Sequence, residues 1–168
     1  MPVRLVVNEN NYEVDADPRR SLLAALRADC EVTSAHAGCA DGTCGACTVL
    51  VDGDAVRSCL MLAVQCDGVA VRTAEGLTAG HPLRAALPGG HELCRPGLVM
   101  LAAGAMRHDG DLAADPGQMS RLLAANLCTC ADHDQIKRSV VRAASLPPGA
   151  SIAAIGPSDG PSPDATGP

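Results

Sequence analysis

The sequence predicts an α+β protein: a small β-rich half carrying one helix, then a helical half, then a tail. Three observations carry that prediction. The chain opens on an alternating strand pattern in residues 3–15, and further short strands read at 48–52, near Val56 and at 69–73. After AEGLTAG (74–80), which has linker composition, the pattern changes to that of helices. From Leu146 onward Pro, Gly, Ser, Ala and Asp dominate, too poor in apolar content to build a core. The expected division is residues 1–76, residues 77–145 and a disordered tail at 146–168.

VRLVVN (3–8) and YEVD (12–15) flank an Asn-rich turn and read as a β-hairpin. Pro18 precedes SLLAALRA, where Leu22, Leu23 and Leu26 share one helical face. A Gly/Cys loop (38–47) follows, then strand TVLVD (48–52), an Asp52-Gly53 turn, a short strand near Val56 and strand VAVRT (69–73). In the second half, HPLRAAL (81–87) ends at Gly89-Gly90, and PGLVMLAAGAMRH (96–108) has Pro at its first position and Gly110 beyond its end. Asp115-Pro116 starts a third helix with Met119, Leu122 and Leu123 inward. Asp132 can cap a fourth, with Gln135 three residues on and Ile136, Val140 and Ala144 as its buried stripe. These four helices predict a bundle.

Composition narrows the functional classes. Hydrophobic residues make up 47% of the chain and charged residues 19%, which suits a folded protein. There is no Trp or Phe and only one Tyr, Tyr12, so the cores must pack aliphatic side chains. A net charge of −6 argues against nucleic acid, which needs clustered Lys and Arg. The longest apolar run, GLVMLAAGAM (97–106), is half of the roughly 20 residues that span a bilayer, so no membrane span is expected. No secretory signal is visible, which predicts a cytoplasmic chain whose nine cysteines are metal ligands rather than disulfides.

Cys39, Cys44 and Cys47, with Cys59 after eleven intervening residues, have the C-x₄-C-x₂-C…C spacing of plant-type [2Fe–2S] sites. Four thiolates offset ferric charge, while Gly38, Gly42 and Gly45 let the loop backbone approach the sulfurs. The competing readings are zinc or buried thiols. Zinc knuckles usually pair two C-x₂-C units, and this loop has a four-residue gap instead. Cys30 and Cys66 fall outside the pattern and read as small buried hydrophobes. A second group comprises His91-x₂-Cys94 and, after thirty-three intervening residues, Cys128-x-Cys130, each beside an expected helix end.

With both groups in view, the chain resembles the small iron–sulfur subunit of the xanthine dehydrogenase / carbon monoxide dehydrogenase family of molybdenum hydroxylases. The resemblance covers roughly residues 3–145. It rests on GCADGTCGACTVLVDGDAVRSCL (38–60), the AEGL linker, HPLRAAL, CRPG (94–97) and NLCTC (126–130). It implies a β-grasp, plant-type ferredoxin-like domain followed by a four-helix-bundle [2Fe–2S] domain. The departures fall at the second site. His91 stands where the family has a ligand cysteine, Gly90 replaces a glutamine that lies near the pterin, and Ala131-Asp132-His133 replaces Thr-Gly-Tyr.

If the family fold holds, His91 is the fourth ligand of a Cys₃His [2Fe–2S] site with Cys94, Cys128 and Cys130. A neutral imidazole in place of a thiolate raises the potential and makes it pH-dependent, because the reduced cluster holds the outer ring proton more tightly. The rival readings are ligation by His133 with His91 a cap or surface residue, a structural Cys₃His zinc, and an absent cluster.

The resemblance further implies an electron-transfer subunit. A large partner holds a molybdenum–pterin cofactor, and electrons pass through the helical-domain cluster and the plant-type cluster to FAD on a flavin subunit or to another acceptor. Residues 81–145 would face the large subunit and residues 1–73 the acceptor. Alternatives are a free-standing two-cluster carrier and a structural subunit. Nothing in the chain supplies a general base, nucleophile or phosphate loop, and Asp41-Gly42 and Asp52-Gly53 read as turns. His36, His81 and His108 read as surface or capping residues.

Overall fold

The computed structural model describes residues 1–86, 93–108, 115–127 and 133–146. Strands β1 (Pro2–Val7) and β2 (Asn10–Asp15) form the expected hairpin, in register from Pro2↔Asp15 to Val7↔Asn10. Its turn places Asn8 and Glu9 at positive φ, the geometry that matches strand twist in two-residue hairpins. Helix α1 (Leu22–Asp29) is capped by Ser21, whose hydroxyl accepts from the Ala24 N–H, and it buries Leu22, Leu23, Ala25 and Leu26. Strands β3 (Thr48–Val51) and β4 (Asp54–Arg57) make a second hairpin through Asp52 and Gly53, both at positive φ. Strand β5 (Ala70–Arg72) completes a mixed sheet of order β2-β1-β5-β3-β4, parallel to β1 and antiparallel to β3.

The helical half holds α2 (Arg95–His108), α3 (Pro116–Leu123) and α4 (His133–Ala144). HPLRAAL, expected as a helix, is a 3-10 helix over Pro82–Ala86. Five residues complete too few i→i−4 bonds to favour the α form. The third helix starts as expected, with the Asp115 side chain accepting from the N–H groups of Gly117 and Gln118 at 2.8 and 3.1 Å. Met119, Leu123, Ile136, Val140 and Ala144 are buried, whereas Leu122 is only partly so. The expected cap Asp132, the Gly89-Gly90 stop, Gly110 and the tail beyond Leu146 lie outside the described residues.

Two apolar clusters result. The first joins α1 to one face of the sheet through Leu5, Val7, Leu22, Leu26 and Val49. The second gathers Leu83, Leu98, Met100, Met119, Leu123, Ile136 and Val140, and it takes Leu50 from β3. Helix α2 therefore covers the other face of the sheet at β3 and β4. A Cβ on Gly104 would lie 3.0 Å from the Ala55 Cβ and 3.1 Å from Leu50 Cδ2. Thr48–Val51 is buried on both faces for this reason. Among the described residues no helix is long and apolar enough to cross a membrane.

Candidate metal centre

The loop 38–47 leaves α1 and returns into β3, and backbone bonds hold it at both ends. The His36 N–H donates to the Ala46 carbonyl at 3.1 Å, and the Thr48 N–H and hydroxyl donate to the Gly45 carbonyl at 3.1 and 2.7 Å. Ser58 donates its hydroxyl to the Cys47 carbonyl at 2.7 Å, fixing the approach of Cys59. Asp41 accepts from both the N–H and the hydroxyl of Thr43, at 3.2 and 2.8 Å, so it builds the turn. Gly42 and Gly45 have φ of +80° and +74°, which an L side chain rarely adopts.

Within this loop the thiols fall into two pairs. The Cys47 and Cys59 sulfurs are 3.3 Å apart, and the Cys44 N–H points at Cys39 Sγ at 3.5 Å. The Ala46 N–H points at Cys44 Sγ at 3.4 Å. A Cβ on Gly38 would sit 2.9 Å from Cys44 Sγ, so the missing side chain leaves room at that sulfur. Among the described residues no three His, Cys, Asp or Glu side chains gather closely enough for a single metal ion. Two thiol pairs with nearby N–H groups would instead suit a two-iron cluster, which Cys39, Cys44, Cys47 and Cys59 would hold.

Electrostatics agree with a site that exchanges protons for metal. Burial, followed by the neighbouring Cys47, pushes the Cys59 thiol up to about 12, and burial also raises Cys44. The Cys44 N–H lowers Cys39. Binding iron must displace protons from thiols this reluctant to ionise, as metal–thiolate sites generally do. Cys30 and Cys66 are buried in the first core, and burial pushes both up to about 11. They behave as the small hydrophobes expected.

Of the second group, Cys94 is buried at the start of α2, while His91, Cys128 and Cys130 lie outside the described residues, as do Gly90, Ala131 and Asp132. His133, the rival ligand, is the first residue of α4. Cys94 lines a cleft of about 380 Å³ together with Cys39, Cys44, Leu93 and Leu127. The next residue, Arg95, is buried and donates to the Ala86 carbonyl at 2.9 Å, tying the 3-10 helix to the head of α2.

The strand of chain just ahead of Cys128 docks on the first loop. Arg57 Nη2 donates to the Ala125 carbonyl at 3.4 Å, while its Nε and Nη1 donate to the Gly42 carbonyl and the Thr48 hydroxyl at 3.3 and 2.6 Å. The Leu127 N–H donates to the Thr43 carbonyl at 3.4 Å. Asn126 is 2% exposed and lies where a Gly45 side chain would project. Helix α2 comes equally close, since a Cβ on Gly97 would be 2.1 Å from the Gly45 carbonyl oxygen. The sequence motifs include Asn126, Gly97, Arg57 and Arg95, but nothing local in them assigns any of the four a role. A buried contact between segments 80 residues apart leaves no local periodicity to read.

Residues 5–77 match the family model described as a 2Fe-2S iron-sulfur cluster binding domain. Along most of its length the chain is 37% identical, over 147 residues, to the caffeine dehydrogenase subunit gamma of a Pseudomonas species, covering 82% of this chain and 87% of that protein. It is 34% identical over 146 residues to the xanthine dehydrogenase iron-sulfur-binding subunit of Escherichia coli, covering 83% and 91%. The chain belongs to the family of iron–sulfur subunits of molybdenum hydroxylases. Members are 2Fe-2S electron-transfer components of oxidoreductases. Their structures agree with the fold: quinoline 2-oxidoreductase from Pseudomonas putida 86 superimposes with a TM-score of 0.73 at 29% identity, covering 86% of this chain and 93% of that one. The aldehyde oxidoreductase of Desulfovibrio desulfuricans gives 0.73 at 28% identity, but this chain spans only 17% of that longer polypeptide.

His81 is half-buried, and its Nδ1 accepts from the Leu83 N–H at 3.2 Å. Burial, then Arg72, lowers its pKa, which keeps the ring neutral for that cap. His108 pairs with Asp54 at 2.6 Å on the surface.

Proposed function

We propose that this chain relays electrons within a multi-subunit, cytoplasmic molybdenum-hydroxylase-like oxidoreductase. Two [2Fe–2S] sites do the work: one held by Cys39, Cys44, Cys47 and Cys59, the other by His91, Cys94, Cys128 and Cys130. They occupy two domains, residues 1–76 and 77–145. The large partner subunit carries the molybdenum–pterin cofactor, and a flavin subunit or another acceptor receives the electrons. A bound cluster supplies one-electron chemistry, and substrate conversion belongs to the partner.

The observation that carries this reading is the cleft in which Cys94 faces Cys39 and Cys44. With Cys94 as a ligand of the second site, the two sites would border one cleft, a separation short enough to support electron transfer between them. Large apolar side chains stand exposed beside the first loop. Leu60, which lies over Gly42, is 66% exposed, and Leu127 is 63% exposed, as docking on partner subunits would need.

Metal content tests the reading. Anaerobically purified wild type is expected to hold four irons and four sulfides per chain, with two distinct [2Fe–2S] EPR signals on reduction. His91→Ala should alter only one of those signals. Two irons, with or without one zinc, would make the helical half structural.

A further inference from the structure

Asn126 is the one described side chain whose amide nitrogen and oxygen are both buried without a hydrogen-bond partner. A primary amide has two donors and an acceptor, and leaving them all unmet is costly enough that such groups call for a specific explanation. The position supplies one. The amide presses on Gly45, where the ideal Cβ would fall 2.2 Å from Oδ1 and 2.6 Å from Nδ2. Gly45 lies between Cys44 and Cys47, one from each thiol pair. The backbone on either side of Asn126 is fastened to the same loop, by Arg57 at Ala125 and by Thr43 at Leu127. An ordinary packing role would be filled at no polar cost by leucine, which has the same branched skeleton of side-chain heavy atoms.

We propose that Asn126, a residue of the helical half, is a positioning residue for the plant-type cluster: it holds the Cys44–Cys47 turn and directs its amide N–H to the cluster's sulfur. The proposal rests on the assignment of a [2Fe–2S] cluster to Cys39, Cys44, Cys47 and Cys59. A reduced cluster is more electron-rich at sulfur, so a donor stabilises the reduced form and raises the potential. The helical half thereby sets the potential of a cluster whose four thiolates all come from the β-rich half. Electrons leaving the second site then meet an acceptor tuned by the segment that ends in Cys128.

The test uses the full chain reconstituted with iron and sulfide. Wild type must first show the plant-type EPR signal, and its absence would sink the cluster assignment itself rather than the role of Asn126. Asn126→Leu is expected to keep that signal and its iron, with the reduction equilibrium of this cluster shifted about tenfold toward the oxidised form, ~59 mV for one electron. An unchanged potential in Asn126→Leu would reduce Asn126 to packing. A second measurement needs no variant. Of the four asparagines, Asn8, Asn10 and Asn11 lie in the first hairpin. Protein carrying ¹⁵N only in asparagine side-chain amides should show an electron–nuclear coupling to the reduced plant-type cluster by pulsed EPR. Lack of that coupling would overturn the proposal even if Asn126→Leu did not fold.

Discussion

Glu75 shows how one carboxylate fastens the approach to the cluster loop. Its Oε1 accepts from the Thr33 and Ser34 N–H groups at 2.9 and 2.7 Å, and Oε2 accepts from the Ser34 and Thr73 hydroxyls. Burial alone would raise this carboxyl, but the hydrogen bonds from Ser34 and Thr73 together outweigh it and hold the pKa down to about 2. A depressed carboxylate pKa stabilises the fold fully above the unfolded value near 4.5, and that contribution fades as pH falls toward 2. The residue remains partly open to water, so screening trims the gain to about 1–2 kcal/mol. Glu75→Gln should therefore lower the melting temperature at pH 7, with the gap to wild type closing as pH drops from 4.5 toward 2. A gap that stays constant over that range would show that the carboxylate charge contributes nothing.

At the scale of elements, the head of α2 is where the two halves are fitted together. Gly97 lets the helix backbone reach the cluster loop, because a Cβ there would meet the Gly45 carbonyl oxygen at 2.1 Å and the Ala46 Cα at 3.0 Å. Both obstacles are backbone and cannot swing aside. Gly97→Ala should cost about 1–3 kcal/mol as overpacking and open the cleft to solvent. Gly80→Ala is the control, since nothing lies within 4 Å of its Cβ position. Thermal melts and limited proteolysis compare the two variants, and equal behaviour would show that the helix has slack to move.

Across the whole molecule, α2 joins the helices to the sheet: it buries Leu98 and Met100 among the helices and packs Gly104 on Leu50 of β3 and Ala55 of β4. The halves should consequently unfold in one transition. Tyr12 packs against the first core and is the only aromatic residue, so its fluorescence reports on that half alone. Leu98→Ala empties a fully buried site in the second core and should cost about 2–5 kcal/mol. If the halves are coupled, the Tyr12 transition will move with the helical circular-dichroism signal. A Tyr12 transition that stays in place would mean two independently stable units.

Much was legible in the sequence because its signals are local. Alternation located the hairpin at residues 3–15, Asp115-Pro116 marked a helix start, and the stripe of Ile136, Val140 and Ala144 identified a buried face, each set by the fixed period of its element. The cysteine spacing of 39, 44, 47 and 59 likewise marked thiols that a short loop and one hairpin bring near one another. What tertiary structure decided depends on contacts between distant segments. The 3-10 form of 82–86 reflects its short length, tied at one end to buried Arg95. The pairing of β5 beside β1 and β3, the burial of both faces of β3 under α2, and the meeting of Gly45, Gly97 and Asn126 follow from how two apolar faces close on one sheet. Period and spacing determine which residues share a face or a loop, and only packing determines which faces meet.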